Sequence, residues 1–428
     1  MIVNEDRTLE KVVLAGVDTG EDENFELSLE ELEDLAKACD MEVMGAVTQT
    51  VSEINKATCM GAGKVEFLKE FARDMEAETV IFDNTLGPMQ MKNLQDELGL
   101  AVMDRTGLIL EIFNRRAGSN EAKLQVESAR LKYMLPRLAG MRTNLGRQGG
   151  GSGSRSNKGA GEKKIELDRR AIEHRISVLR KELKEVSKDK ETQRKKRQND
   201  SIRQVALVGY TNAGKSTILN SMVDCFGEAK DKKVFEKDML FATLDTSVRK
   251  ISIKDKEDFF LSDTVGFIHK LPHGLVEAFK STLSEVLQAD LLLHVVDFSD
   301  ENFKQHINVT KETLNEIGAG GIPTIYVYNK CDKKPGIYKD SDDSLYISAK
   351  NKGDIERLTN AICEKLYSDY EECEFNLPYS MGSALNVMRN KGRIIESEYR
   401  DDCIFVKANC SKALKKSYSD FLVMKESV

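Results

Sequence analysis

The sequence predicts an α/β protein: a small parallel sheet and a long helical hairpin, followed by a second, doubly wound parallel sheet and a small α/β appendage. Three observations support this prediction. Short apolar runs alternate with amphipathic stretches over residues 11–104, charged stretches with heptad-like apolar residues follow, and the alternation of strands and helices resumes near residue 200. Such alternation builds parallel sheets covered by helices, whereas heptad spacing indicates helices that bury each other's apolar seams.

The composition argues against several classes of protein. The chain has 428 residues, enough for two to four domains, and a net charge of −7, which argues against a basic coat that binds DNA. The longest apolar runs, such as 291–296, are too short to cross a membrane, so any membrane contact would be peripheral. No apolar signal region opens the chain, and the eight cysteines include no Cys-x-x-Cys pair. We therefore expect a cytoplasmic monomer without a disulfide or metal framework.

The N-terminal segment, residues 1–104, is predicted to form a small parallel α/β domain. Its first helix is expected to begin at a capping box, with Ser28 as N-cap and Glu31 three residues later, and to bury a stripe that includes Leu32 and Leu35. Gly61-Ala-Gly-Lys64 resembles a phosphate loop but lacks the motif's first glycine and final hydroxyl, so a glycine turn at a helix start is favoured. The expected strands are 12–17, 41–47, 79–82 and 100–103, and the further helices are 63–75 and 88–98.

Residues 105–199 are predicted to form an antiparallel helical hairpin whose second helix covers about 165–198. The joining loop, 140–161, is rich in glycine, has no acidic residue and carries Arg142, Arg147, Arg155 and Lys158. Flexible backbone with isolated cations suits an RNA phosphate surface, and a solvated loop is the alternative. The predicted apolar seams are Leu124, Leu131, Leu135 and Leu138 on the first helix, and Ile172, Ile176, Leu179, Leu183 and Val186 on the second.

The strongest motif is Gly209-Tyr-Thr-Asn-Ala-Gly-Lys-Ser216, which fits the P-loop template of a glycine, four residues and Gly-Lys-Ser. It stands between an apolar run, 205–208, and a helical pattern, as the motif requires. Lys215 is expected to contact the β- and γ-phosphates of a nucleoside triphosphate, and the Ser216 hydroxyl to bind Mg²⁺. The predicted nucleotide-binding residues here are Gly209, Tyr210, Thr211, Asn212, Ala213, Gly214, Lys215, Ser216 and Thr217.

A second motif points to nucleotide hydrolysis. Asp263-Thr-Val-Gly266 matches Asp-x-x-Gly, in which Asp263 would hold Mg²⁺ through a water and the Gly266 N–H would contact the γ-phosphate. Between the P-loop and Asp263, both Thr243 and Thr246 are candidates for the threonine that binds Mg²⁺ and the γ-phosphate. Ras-like enzymes place a glutamine that orients water directly after this glycine, but Phe267 stands here. Intrinsic hydrolysis is therefore expected to be slow.

Two further motifs specify guanine. Asn329-Lys330-Cys-Asp332 matches Asn-Lys-x-Asp: Asp332 would accept hydrogen bonds from the base, Asn329 would hold the loop, and the Lys330 stem would lie against the ring. In Ser348-Ala349-Lys350, the Ala349 N–H is expected to contact the guanine O6. The order of these motifs, each at a strand end, predicts a Ras-like P-loop G domain that binds GTP and GDP and hydrolyses GTP.

Three further polar side chains stand near the phosphate-binding motifs. Asn212 stands where several GTPases hold a monovalent cation, so K⁺ is a candidate cofactor besides Mg²⁺. His269 and His273 follow the Asp-x-x-Gly motif, and exposed loop histidines are a better interpretation than groups that act on water. The catalytic candidates are accordingly Lys215, Asn212, Thr243 and Gly266.

The expected domain boundaries are an α/β subdomain at 1–104, the hairpin at 105–199, the G domain at 200–370 and an α/β appendage at 371–428. The appendage is predicted to contain a helix at 380–389 and strands at 393–398 and 403–407.

The sequence resembles the HflX family of translational GTPases over roughly residues 10–370. Phe241-Ala-Thr-Leu-Asp245 and Asp263-Thr-Val-Gly-Phe-Ile268 are close to the family pattern, and this resemblance selects Thr243 over Thr246. The other matching segments are Asn55-Lys-Ala-Thr-Cys-Met-Gly-Ala-Gly-Lys64, Leu86-Gly-Pro-Met-Gln-Met-Lys-Asn-Leu94, Val102-Met-Asp-Arg-Thr-Gly-Leu-Ile-Leu110, Ile112-Phe-Asn-Arg-Arg and Lys123-Leu-Gln-Val-Glu127.

The resemblance implies binding to the large ribosomal subunit, with the hairpin loop approaching its rRNA, and a role in splitting or rescuing stalled ribosomes under ribosome-stimulated hydrolysis. One departure affects the RNA contacts: Lys163-Lys164 replaces the family's usual Thr-Gln pair after the loop. Two alternatives remain open, a GTPase that assists RNA maturation or subunit assembly and a GTP-sensing binding module with little hydrolysis.

Overall fold

The computed structural model describes residues 9–20, 24–138, 156–199, 202–227, 240–241, 246–270, 272 and 284–423, with side chains described only for 166–188 within 156–199. The chain divides into two compact units. The first comprises Met1–Val186, Lys237–Asp245 and His269–Lys280, and the second comprises Ser187–Glu236, Thr246–Ile268 and Ser281–Val428. Across the described residues, no helix is both long enough and apolar enough to cross a membrane.

The first unit contains a four-stranded, all-parallel sheet in the order β2-β1-β3-β4. The interior of β1 is continuously buried, as expected of a parallel strand covered on both faces. Gly61 is the N-cap of α2, so the predicted glycine at a helix start is confirmed. The strands are β1 (Glu10–Asp18), β2 (Met41–Thr50), β3 (Thr79–Phe82) and β4 (Ala101–Asp104), and the helices are α1 (Phe25–Ala38), α2 (Ala62–Asp74) and α3 (Pro88–Leu98).

The predicted capping box at Ser28 is wrong. Helix α1 begins at Phe25, so Ser28 lies inside it. The Ser28 hydroxyl donates to the two carboxylate oxygens of Asp83, at 2.9 and 2.8 Å, and Glu31 forms an ion pair with Arg105. The buried charges of Asp83 and Arg105 thus bind the two side chains that a capping box would have used. The apolar stripe itself is confirmed, because Leu32, Leu35, Ala36 and Cys39 are all buried.

Over its described residues, the helical region has three helices: α4 (Arg105–Arg116), α5 (Asn120–Leu138) and α6 (Ser156–Asn199). The predicted seam on α5 is wrong, because Ala122, Val126 and Ala129 are buried whereas its four leucines are half-buried. These small side chains allow close packing of α5 on α4. On α6, Ile176 and Leu179 are buried as predicted, while Ile172, Leu183 and Val186 are half-buried. Arg175 of α6 pairs with Glu127 of α5 through Nε at 2.7 Å and Nη2 at 2.8 Å.

The second unit is built on a six-stranded sheet in the order β10-β9-β8-β5-β7-β6, parallel except for β6. Ligands of such sheets bind outside the carboxyl ends of the strands. The strands are β5 (Arg203–Val208), β6 (Ser247–Ile251), β7 (Phe259–Asp263), β8 (Leu291–Asp297), β9 (Thr324–Asn329) and β10 (Ser344–Tyr346). The helices are α7 (Lys215–Phe226), α8 (Ser284–Leu287), α9 (Phe303–Glu316) and α10 (Lys352–Leu366).

The C-terminal part of this unit is a three-stranded antiparallel sheet in the order β11-β13-β12. Strand β11 was not predicted, although the polar residues Glu372, Glu374 and Asn376 alternate along it with the buried residues Cys373, Phe375 and Leu377. Its elements are β11 (Tyr370–Pro378), α11 (Gly382–Lys391), β12 (Gly392–Tyr399), β13 (Cys403–Ser411) and α12 (Lys412–Ser417).

Candidate nucleotide site

The predicted P-loop has the backbone that phosphate binding requires. Strand β5 ends at Val208 and helix α7 begins at Lys215, so the motif spans a strand end and a helix N-terminus. Gly214 has a φ of 96°, and a Cβ there would collide with the side-chain amide of Asn329. Glycine at this position is therefore required both by backbone conformation and by close approach of another loop.

Lys215 is turned back onto its own loop. Its Nζ donates to the carbonyl oxygens of Gly209 at 3.0 Å and Tyr210 at 2.7 Å. Burial lowers the pKa of Lys215 to about 8, and the nearby Asp263 carboxylate opposes this shift. The ammonium thus lies at the base of the loop, where the negative charge of phosphate oxygens in place of the two carbonyls would offset the cost of its burial.

Two oxygen groups of the kind that Mg²⁺ prefers lie together beside the loop. The Ser216 hydroxyl donates to Asp263 Oδ2 at 2.6 Å, and the Asp263 side chain is fully buried at the end of β7. A hydroxyl and a buried carboxylate form a hard oxygen donor set, so these residues fit a magnesium ion.

The Asp-x-x-Gly segment pairs with the P-loop. The Thr211 N–H donates to the Phe267 carbonyl at 2.8 Å, and the Phe267 N–H donates to the Gly209 carbonyl at 3.1 Å. A Cβ on Gly266 would lie 3.0 Å from Lys215 Nζ. Phe267 is 2% exposed, so its ring packs inside the unit. The residue in the glutamine position therefore has a packing role.

The base-recognition motifs meet at the ends of β9 and β10. Asn329 Nδ2 donates to the Ala213 carbonyl at 2.9 Å, and Asn329 Oδ1 accepts the Ala349 N–H at 2.9 Å. The N–H predicted to contact guanine O6 is therefore held by Asn329 in this structure, and a base would have to share or replace that bond. Asp332 and Lys350 are exposed, as groups that meet a ligand should be.

Lys330 connects the base-recognition loop to the P-loop. Its backbone is in the left-handed region, with a φ of 62°. Its Nζ donates to the Asn212 carbonyl at 2.9 Å and lies 2.7 Å from Asp297 Oδ2. Asp297, the last residue of β8, was not predicted as part of the site because no motif marks it. Asn212 is exposed with a φ of 57°.

A second unpredicted feature is the ring stack between Tyr210 and His306 of α9, with centroids 3.9 Å apart. Burial lowers the pKa of His306, against the charges of Asp300 and Asp297, so a neutral imidazole faces the Tyr210 ring. This stack fixes the second residue of the P-loop from the side. His269 is half-buried, not exposed as predicted.

Several predicted residues lie outside the described part of the chain. They are Thr243 of the proposed metal set, His273, and Arg142, Arg147 and Arg155 of the joining loop. Lys158 falls in α6, but its side chain is outside the described residues.

A phosphate loop flanked by strands that end in Asp-x-x-Gly and Asn-Lys-x-Asp places the protein among the P-loop GTPases, which bind GTP and GDP and hydrolyse GTP. The family model "50S ribosome-binding GTPase" matches residues 204–330. The models "GTP-binding GTPase N-terminal" and "GTP-binding GTPase Middle Region" match residues 26–114 and 116–197. The chain belongs to the HflX family of GTPases.

Relatives from distant bacteria support that assignment. The chain is 43% identical over 412 residues to GTPase HflX of Caldanaerobacter subterraneus subsp. tengcongensis, covering 96% of this chain and 93% of the relative. It is 38% identical over 380 residues to GTPase HflX of Escherichia coli, covering 87% of each chain.

Among solved structures, a GTP-binding protein from the archaeon Sulfolobus solfataricus in complex with GDP matches 84% of this chain and 99% of its own, at 27% identity and a TM-score of 0.43.

Proposed function

We propose that this GTPase binds the large ribosomal subunit and splits or rescues stalled ribosomes, with hydrolysis stimulated by the ribosome. The match of residues 204–330 to the 50S ribosome-binding GTPase model carries the proposal. The acid-free loop at 140–161, with its four cations, supports an RNA contact, since such a segment can follow a phosphate surface.

The site residues are proposed to hold the nucleotide at its phosphates and at its base. Lys215 exchanges the Gly209 and Tyr210 carbonyls for the β- and γ-phosphates, and Asp332 selects guanine. Ser216, Thr243 and, through a water, Asp263 would hold Mg²⁺, which supplies positive charge to the phosphate oxygens when bound. The 2.6 Å approach of Ser216 to Asp263 supports this donor set.

Phe267 supports the proposed stimulation of hydrolysis by the ribosome. An apolar ring that is 2% exposed can neither accept a hydrogen bond from water nor orient it. The group that completes hydrolysis must therefore come from another part of the site or from the partner. K⁺ held at Asn212 is the candidate within the site.

Sedimentation with ribosomal subunits in GTP, GDP or a non-hydrolysable analogue tests the proposal. We expect co-sedimentation with the large subunit in the analogue and stimulation of hydrolysis by ribosomes. Failure to sediment with that subunit in any state would contradict the proposal. Association with rRNA precursors alone would favour a maturation role, and binding without stimulated hydrolysis would favour a GTP-sensing module.

A replacement of the joining loop tests whether ribosome splitting needs this loop while basal GTP hydrolysis does not. Exchange of residues 142–158 for a neutral Gly-Ser linker of equal length should preserve basal hydrolysis and abolish splitting. The matched control replaces Arg169 and Arg170 by glutamine, because these exposed cations of α6 lie outside the loop. Splitting should survive in the control. Loss of splitting in both variants would mean that the net positive charge of this region matters and not the loop itself.

A further inference from the structure

The first residues of the P-loop pack on β8 and α9, and all of these elements belong to the second unit. Gly209 lies so close to β8 that a Cβ on it would collide with the Val295 carbonyl oxygen. The Tyr210 ring is stacked on the ring of His306 from α9, with centroids 3.9 Å apart and an angle of 13° between the planes. Two successive residues of the loop are therefore held by neighbouring elements that carry no nucleotide-binding motif.

A third contact supports the loop two residues further on. Lys330 Nζ donates to the Asn212 carbonyl at 2.9 Å and lies 2.7 Å from Asp297 Oδ2 at the end of β8. Asp297 Oδ1 accepts the N–H and the hydroxyl of Ser299, at 3.0 and 2.6 Å. Both oxygens of Asp297 therefore have partners, which fixes this carboxylate and the lysine bound to it. The loop is thus supported from the side of β8 and α9 at three of its first four residues.

The backbone of Tyr210 contacts the P-loop lysine. Its carbonyl oxygen accepts a hydrogen bond from Lys215 Nζ at 2.7 Å, and Tyr210 also forms a parallel bridge with Phe267. A P-loop binds phosphate through several backbone N–H groups that converge on the same oxygens, so a displacement of the loop weakens these contacts together. A shift of Tyr210 would move both the acceptor of the Lys215 ammonium and the N–H groups that follow along the loop.

His306 supports Tyr210 as an uncharged aromatic ring. The His306 side chain is 14% exposed, and its Nδ1 lies 3.8 Å from Asp300 Oδ2. Burial lowers the pKa of His306, against the charges of Asp300 and Asp297, and the second of these carboxylates is already paired with Lys330. The imidazole is therefore neutral at neutral pH. Two flat rings in contact stabilise each other by stacking, and this contribution needs the ring and not its charge.

We infer that His306 is a positioning residue for phosphate binding: by stacking on Tyr210 it holds the first half of the P-loop in the conformation that receives the β-phosphate of the nucleotide. The inference rests on the phosphate contacts proposed for the P-loop and does not depend on ribosome binding. His306 comes from a helix that lies between the Asp-x-x-Gly and Asn-Lys-x-Asp segments, so no motif marks it.

The test measures the affinities of the purified full-length protein for GDP and GMP by competition with a fluorescent GDP analogue. The two nucleotides share the base and the ribose, so the ratio of their affinities isolates the contribution of the β-phosphate. In His306→Ala, the GDP-to-GMP affinity ratio should fall roughly two- to tenfold, the range of a lost aromatic pair. The GMP affinity should change little, because the base-recognition loop keeps its own contacts.

Two variants of α9 separate the ring of His306 from other effects of the substitution. His306→Phe keeps a flat, uncharged ring and should restore most of the wild-type ratio. Asn308→Ala is the matched control, because Asn308 is an exposed residue of the same helix. The ratio in this control should equal that of wild type.

A double-mutant cycle tests whether His306 acts through Tyr210. Tyr210→Ala should lower the ratio as His306→Ala does, and the two changes together should lower it no further. A wild-type ratio in His306→Ala, equal losses of GDP and GMP affinity, or additive effects in the double variant would each overturn the inference. These outcomes leave the ribosome proposal untouched, because no ribosome is present. A wild-type protein that bound GMP as tightly as GDP would contradict the phosphate contacts proposed for the P-loop, and the inference with them.

Discussion

The side-chain amide of Asn329 ties the Ala213 carbonyl to the base-recognition loop with a 2.9 Å hydrogen bond that spans 116 residues of sequence. The same amide accepts the Ala349 N–H. One buried side chain therefore aligns three segments that no local interaction brings together. Asn329 should therefore contribute to nucleotide affinity by positioning groups on both sides of the ligand.

Replacement of Asn329 by alanine should weaken GDP binding by one to two orders of magnitude. Two buried backbone groups lose their partner, and the loss is of the scale of one such unpaired group, about 1–3 kcal/mol. Titration with a fluorescent GDP analogue measures the loss. Asn360→Ala is the control, since Asn360 is an exposed residue of α10. An affinity within twofold of wild type in Asn329→Ala would contradict the alignment role.

Asp332→Asn should change the base that the protein accepts. A carboxylate accepts two hydrogen bonds from guanine, whereas an amide presents a donor that matches the extra carbonyl of xanthine. GDP affinity should fall roughly 100-fold, since hydrogen bonds to a charged group contribute about 1.5–3 kcal/mol. Competition between GDP and xanthosine diphosphate gives the measurement. Asp342→Asn, at another exposed acidic position, should leave the preference unchanged.

Sequence could predict that the protein is a P-loop GTPase because each motif that marks this class is local. A strand end, a few fixed residues and a helix start specify a phosphate or base contact without reference to the rest of the fold. The cluster around Asp83 could not be predicted in this way. Ser28 and Glu31 fitted a capping box locally, yet Asp83 and Arg105 claim both side chains, and Lys270 lies 187 positions from Asp83. Tertiary electrostatics outweighed a local preference.

The same reasoning explains the errors in the helices. Leucine spacing predicted the seam of α5, but the face of α5 that is buried carries Ala122, Val126 and Ala129, and α5 packs on α4. Periodicity identifies that a helix is amphipathic, whereas the identity of its partner decides which stripe is covered.

Monovalent cations provide a third prediction. Hydrolysis should be faster in K⁺ than in Na⁺ at matched ionic strength, because Phe267 supplies no polar group and Asn212 is exposed in the P-loop. Asn212→Gly keeps the backbone conformation, whose φ is 57°, and removes the amide. The K⁺ advantage should disappear in that variant. Equal wild-type rates in the two salts would remove Asn212 from this role.

Protonation of Asp83 should make the free energy of unfolding depend on pH in the acidic range. Burial alone would raise the pKa of Asp83, but the charges of Arg105 and Lys270 outweigh burial and lower it below the usual value. A carboxyl group with a lowered folded-state pKa stabilises the fold above its unfolded pKa of about 3.9, and this contribution is lost as the pH falls through the folded value.

Asp83→Asn should therefore cost about 3 kcal/mol of unfolding free energy at pH 7, the scale for removal of one member of a buried ion pair. Below pH 4, the difference between wild type and variant should shrink, because wild-type Asp83 also becomes neutral. Urea unfolding followed by circular dichroism at pH 7 and pH 3 measures both values. Glu76→Gln removes an exposed partner of Lys11 and should show neither effect, since exposed pairs contribute little. A pH-independent difference would mean that the Asp83 side chain stabilises the protein through packing and not through its charge.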